Sequence, residues 1–141
     1  MRLTSKFHAT IGMNKIKNKR LTMPIAFSQS LNVGDCVPFY FFPRSVILYM
    51  LYKGNHPDIH YFEGQESIIH LVADMKNTVK WAKSNYLRWA FTTSNASSSY
   101  FDSYSDLIKL GEIDWEAVNS RFWSECREQK QAEFLVENCF T

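Results

Sequence analysis

The stretch Val37-Pro38-Phe39-Tyr40-Phe41-Phe42-Pro43-Arg44-Ser45 decides how this chain is read. Its unbroken aromatic run predicts a short buried strand over Phe39 to Phe42, entered from Pro38 and closed by Pro43. Ser45 to Lys53 then reads as a short helix stopped by Gly54. Upstream, Met13 to Leu21 predicts a short basic helix ending before Pro24. Downstream, Ser67 to Val72 reads as a second strand, Met75 to Ser84 as a helix and Leu87 to Thr92 as a third strand. The polar run Thr93-Ser94-Asn95-Ala96-Ser97-Ser98-Ser99 suits neither strand nor helix. Trp115 to Trp123 has helical spacing behind Asp114 as N-cap, and Ala132 to Val136 reads as the last strand. Strands and helices mix without strict βαβ alternation, which favours an α+β domain over a doubly wound sheet. No repeat or Pro/Gly/Ser-rich linker divides the chain, so residues 1–141 are expected to form a single domain.

Composition narrows the classes. Aromatic residues make up 16% of the chain, enough both to fill a core and to leave rings on which bases can stack. The net charge is only +2, but Arg2, Lys6, Lys15, Lys17, Lys19 and Arg20 precede the first acidic residue. A basic arm of this kind suits phosphate contact, and it equally suits a solvated terminus. Cys36, Cys126 and Cys139 are widely spaced and odd in number, so a reducing cytoplasm is the expected setting. The longest apolar run, Val46 to Tyr52, is too short to span a bilayer, and no membrane partner is expected. His56, His60, His70 and the cysteines fit no zinc spacing; no metal is expected, and His70 reads as a hydrogen-bonded core residue of the second strand.

Two features carry chemistry. If 131–133 is strand, Gln131 and Glu133 share one face and Ala132 and Phe134 the other. A carboxylate there can hold a ribose hydroxyl and stabilise positive charge developing on the sugar, while the amide orients a nucleophile. A solvated strand edge would give the same pattern. Arg44 emerges from the rigid aromatic segment as a planar bidentate donor suited to a pyrophosphate or carboxylate; a structural ion pair with an acid such as Glu66 is the other reading.

Six segments, in this order and spacing, carry a resemblance. They are Ile11-Gly12-Met13-Asn14-Lys15-Ile16-Lys17, Gly34 to Ser45, Gly64-Gln65-Glu66-Ser67-Ile68-Ile69-His70-Leu71, Trp89-Ala90-Phe91-Thr92, Ile113-Asp114-Trp115 and Lys130-Gln131-Ala132-Glu133-Phe134-Leu135-Val136. Together they resemble the DarT family of bacterial DNA ADP-ribosyltransferase toxins from about Ile11 onward. The resemblance implies an ADP-ribosyltransferase-like split mixed β-sheet with flanking helices. It also implies transfer of ADP-ribose from NAD, a co-substrate, to a base in single-stranded DNA, commonly thymidine. On that pattern Glu133 matches the catalytic glutamate and Arg44 the arginine of the NAD site, which would also include Tyr40 and Gln65. The segment Thr92 to about Arg127 falls where the family has its substrate-recognition loop, and Gln131, Lys130, Tyr100 and Trp123 become candidates for DNA contact. The partner implied is a macrodomain antitoxin, DarG, that removes the modification.

The chain departs from the family pattern at its ends. The family's strand bearing an NAD-gripping histidine has no counterpart ahead of Ile11, and the closing strand would continue past Thr141. A partial domain, truncated at both ends, is therefore expected. The alternative to an active toxin is an inactive remnant that binds nucleic acid or a partner protein.

Overall fold

The computed structural model describes residues 13–26 and 30–137. Arg2, Lys6, the Ile11-Gly12 start of the first matching segment and Cys139 lie outside them. In chain order the elements are α1 (Asn14–Arg20), β1 (Cys36–Tyr40), α2 (Val46–Lys53), α3 (Met75–Ser84), β2 (Trp89–Asn95), β3 (Ser103–Tyr104), α4 (Trp115–Asn119), α5 (Arg127–Lys130) and β4 (Ala132–Glu137). Short 3-10 turns cover Val33–Asp35 and Leu107–Glu112. This is the expected α+β class. The described strands form one sheet in the order β1-β4-β2-β3, paired antiparallel throughout.

Local chemistry explains most boundaries. Ser45 Oγ accepts from the Leu48 N–H at the start of α2, and Gly54 closes that helix with φ +62°, a left-handed conformation that glycine adopts without steric cost. Asp74 caps α3 by accepting from the Asn77 N–H, and Asp114 caps α4 by accepting from the Ala117 N–H. Pro38 is tolerated within β1 because β1 is the edge of the sheet formed by the described strands, where a missing donor breaks no second ladder among them.

Several expected boundaries move. β1 runs over Cys36–Tyr40 rather than Phe39–Phe42, because pairing with β4 begins at Cys36 opposite Glu137; Phe41 and Phe42 lie beyond it and pack on the core. The stretch 67–72 is not a strand. A turn at Gly64–Gln65 leaves Ile68 alone packed on the Leu51, Ile59 and Tyr61 cluster, while Ile69, Leu71 and Val72 are exposed. β-propensity without a partner strand forms nothing. His70 is exposed there, not a core residue. Of the polar run after Thr92, Thr93 to Asn95 extend β2, and α4 ends at Asn119 rather than continuing to Trp123.

The two faces of the sheet are buried differently. Trp89, Phe91, Phe134 and Val136 face Val79 and Ala82 of α3, Val118 of α4 and Ile113. On the other face Leu135 and Ala90 meet Ile25, Leu31 and Val33, which lie between α1 and β1. That covering segment is tied down by the Val33 N–H donating to Met23 O at 2.8 Å and the Ile25 N–H to Leu31 O at 2.9 Å. Its closest approach is at Gly34, where an added Cβ would stand 2.7 Å from Leu21 Cα. Only glycine lets the end of α1 lie against this turn. Gly34→Ala should therefore lower stability by about 1–3 kcal/mol through overpacking against backbone, read as an earlier urea midpoint. An unchanged midpoint would show that the α1 end moves aside freely.

Candidate active site

β4 is a central strand, and Ala132 through Val136 are all buried. Glu133, 1% exposed, sits among them on the face that carries Leu135. The solvated-edge reading of Gln131 and Glu133 is thereby overturned. Gln131 is not in the strand: its N–H still bonds to Glu128 O, and its side-chain amide donates to Arg127 O at 3.0 Å. It ends α5 and shares no sheet face with Glu133.

Opposite Glu133 the ladder is broken. Phe91 pairs with Phe134 and Asn95 with Ala132, so Thr92, Thr93 and Ser94 stand against the single residue Glu133. This is a bulge, a device that re-aims side chains next to functional sites. Thr92 Oγ1 accepts from the Glu133 N–H at 3.0 Å and donates to Ser94 O at 2.7 Å, locking the distortion. The Ala96 N–H, which follows the bulge, donates to the Glu133 carboxylate.

The carboxylate's main partner is Arg20, at the end of α1. Arg20 Nη2 donates to Glu133 Oε2 in an ion pair whose side chains are 16% and 1% exposed. Burial is the largest influence on Glu133 and raises its pKa; the charge and hydrogen bond of Arg20, then the Ala96 N–H, pull it back without cancelling the rise. Tyr40, the cross-strand neighbour of Glu133, is itself 39% exposed, but its hydroxyl lies near the ion pair. Withdrawal from water and then the nearby Glu133 charge raise its hydroxyl to about 12, against the opposing pull of Arg20. Sequence reasoning missed Arg20. Its only signal was a helix whose last turn holds Lys17, Lys19 and Arg20, more cations than a helix C-terminus requires.

Arg44 lies elsewhere. It is exposed, with no ion-pair partner among the described residues, so the pairing with Glu66 is not formed. It lines a cavity of about 370 Å³ with Gln65, Tyr49, Tyr52, Arg121 and Trp123. Gln65 donates to Leu48 O at 3.1 Å; Tyr49 and Trp123 meet edge-to-face at 5.6 Å between centroids; Arg127 lies over Trp123 at 5.8 Å. The cavity thus combines exposed guanidinium groups with aromatic faces, a composition suited to phosphates and bases. Tyr100, 90% exposed, lines a second depression with Thr93, Ser94, Asp102 and Asp114. Three residues lie between Tyr40 and Arg44, a reach of at most about 14 Å, so cavity and carboxylate share one end of the sheet. Lys130 contradicts its expected role in DNA contact. It is buried, its Nζ donating to Val118 O at 2.9 Å and lying 5.0 Å from the Phe42 ring centroid, and the same burial lowers its pKa. Among the described residues no group of three His, Cys, Asp or Glu could hold a metal ion, and no helix is long and apolar enough to cross a membrane.

Against known proteins, residues 4–141 match the family described as ssDNA thymidine ADP-ribosyltransferase, DarT. The DNA ADP-ribosyl transferase of Thermus sp. (strain 2.9) is 40% identical over 109 residues, covering 75% of this chain and 49% of the relative. That of Escherichia coli O127:H6 (strain E2348/69 / EPEC) is 28% identical over 111 residues, 79% of this chain and 48% of the relative. Among solved structures, Thermus sp. 2.9 DarT in complex with ADP-ribosylated ssDNA superposes with a TM-score of 0.81 at 31% identity, over 95% of this chain and 62% of that one. The same protein in complex with NAD+ gives a TM-score of 0.66 at 37% identity, over 75% and 52% of the two chains. The chain thus spans about half the length of the curated relatives it matches.

The raised pKa of Glu133 sets the sign of a pH effect. The folded state binds this proton more tightly than the unfolded chain, whose value is near 4.5, so the contribution to stability falls as pH rises from there through the folded midpoint. Glu133→Gln should remove that slope, so that wild type loses stability relative to the variant as pH rises above 4.5. Parallel stability–pH curves would refute the assignment.

Proposed function

This chain belongs to the DarT family, and on that premise we propose that it transfers ADP-ribose from NAD to a thymine base in single-stranded DNA. The observation that carries the reading is Glu133: a buried carboxylate on the central strand, opposite a bulge and beside a cation, within the motif that matches the family's catalytic glutamate. The Thermus relatives in complex with NAD+ and with ADP-ribosylated ssDNA support the two substrates.

In the proposed reaction the bond between the nicotinamide nitrogen and its ribose carbon breaks, and nicotinamide leaves as a neutral molecule. The thymine ring nitrogen bonds to that carbon and passes its proton to the Glu133 carboxylate. Glu133 holds the ribose and stabilises the oxocarbenium-like state. Arg44 holds the phosphates and stays protonated, so it assists electrostatically rather than as a free base. Tyr40 flanks the ribose site, and Gln65 orients the dinucleotide within the Arg44 cavity. Trp123 and Tyr100 offer faces on which an extruded base can stack, Tyr100 from within the expected recognition loop. We further propose a cytoplasmic toxin paired with a macrodomain antitoxin that reverses the modification.

The decisive experiment incubates the chain with NAD and a thymidine-containing single-stranded oligonucleotide and weighs the product. An added ADP-ribose mass is expected, and Glu133→Ala should abolish it. Oligonucleotide binding without an adduct would instead favour the inactive remnant. Arg44→Ala should lower the rate by about 10²–10³, the effect typical of losing one electrostatic donor. Trp123→Ala should weaken oligonucleotide binding by about 1–3 kcal/mol, measured by fluorescence anisotropy. A Trp123 variant that binds as wild type would remove that ring from the DNA path.

A further inference from the structure

We propose that Arg20 is a positioning residue for Glu133: its guanidinium, delivered by the end of α1, keeps the buried carboxylate ionised and aimed at the ribose site without itself touching substrate. The inference rests on the proposed ADP-ribosyl transfer for its consequence in catalysis, and on geometry alone for the contact.

The geometry is over-determined. α1 has no fully buried residue, and only Ile16 on it is a half-buried apolar side chain, so its apolar contacts are few. Polar and steric clips along its length add to these. Lys15 pairs with Asp58 at 3.6 Å, Lys19 Nζ donates to Ser97 O at 2.8 Å, Arg20 pairs with Glu133, and Leu21 lies against Gly34. The Lys19 contact is made in the turn just after the bulge, next to Ala96, whose N–H also donates to Glu133. The same turn therefore gathers α1, the bulge and the carboxylate together.

The groups facing Glu133 can be named element by element. α1 brings Arg20, β1 brings the Tyr40 hydroxyl, β2 brings Thr92, and the turn after β2 brings the Ala96 N–H. Among the described residues Arg20 is the one cation facing the carboxylate. Tyr40, held up at about 12, stays neutral and cannot take its place. An ionised carboxylate with 1% exposure requires a charge partner, and a neutral one cannot stabilise a developing oxocarbenium.

The test follows the Glu133 carboxyl carbon by ¹³C NMR against pH in the intact chain, its signal assigned with Glu133→Gln. Removing an adjacent opposite charge should raise its midpoint by about 1–3 units in Arg20→Gln, with most of that rise rescued in Arg20→Lys. An unmoved midpoint in Arg20→Gln overturns the proposal. Should that variant not fold, wild type alone decides: the Arg20 guanidinium nitrogens must report the same midpoint as the carboxyl, and independent midpoints overturn it. In the transfer assay the acid limb of the pH–rate profile should move with the carboxyl midpoint, while KM for NAD stays within about twofold. A large rise in that KM at unchanged kcat would make Arg20 a substrate contact and refute the positioning role. Absence of transfer by wild type would count against the proposed reaction, yet the titration would still judge Arg20.

Discussion

A carboxylate buried on a central strand is an expensive feature, and the rest of this structure is arranged so that it can exist. Stripping a carboxylate of water costs several kcal/mol even after relaxation, and breaking a buried pair by removing one partner costs about 3–5 kcal/mol. Glu133 meets that requirement with Arg20, the Ala96 N–H and a bulge that opens the ladder on one side. None of these partners is adjacent in sequence; Arg20 is 113 residues away. The ion pair is therefore a closure of the fold as well as a local contact, joining the described start of the chain to its last strand.

The pieces that make this closure possible are individually ordinary. Gly34 is needed because backbone approaches backbone, not because of an unusual dihedral angle. The apolar residues Ile25, Leu31 and Val33 cover one sheet face and so carry α1 across it. The opposite face is built from rings packed against α3 and α4, and it makes the sheet stiff enough to keep a bulge in register. Rigidity on one face and polar chemistry on the other is the arrangement a reacting group needs. The Arg44 cavity adds exposed cations and aromatic faces, so in the proposed reaction charge stabilisation falls to Glu133 and grip on phosphates and bases to Arg44.

Much of this was legible in residues. Caps at Ser45, Asp74 and Asp114 and the stop at Gly54 act within one turn of helix, so their chemistry reads directly from the chain. The misreadings share one cause. Whether 67–72 becomes a strand depends on a neighbour, and none pairs with it among the described residues. Whether Lys130 meets solvent depends on Val118 and Phe42, which close over it. The Gln131 and Glu133 alternation assumed a strand one residue too long, whereas Gln131 closes α5 with φ −95° and ψ 20° and is not extended.

The sequence by itself determined the α+β class, most helix boundaries and the family motifs, and it singled out Glu133 and Arg44 as candidates, because these depend on local propensity and on short runs of residues. Only the tertiary structure decided that Glu133 is buried rather than on an edge, that Arg20 is its counter-ion, and that Arg44 faces a separate cavity. Burial and ion pairing are set by what the folded chain brings close, and Coulomb and desolvation energies follow distance in space rather than separation along the chain.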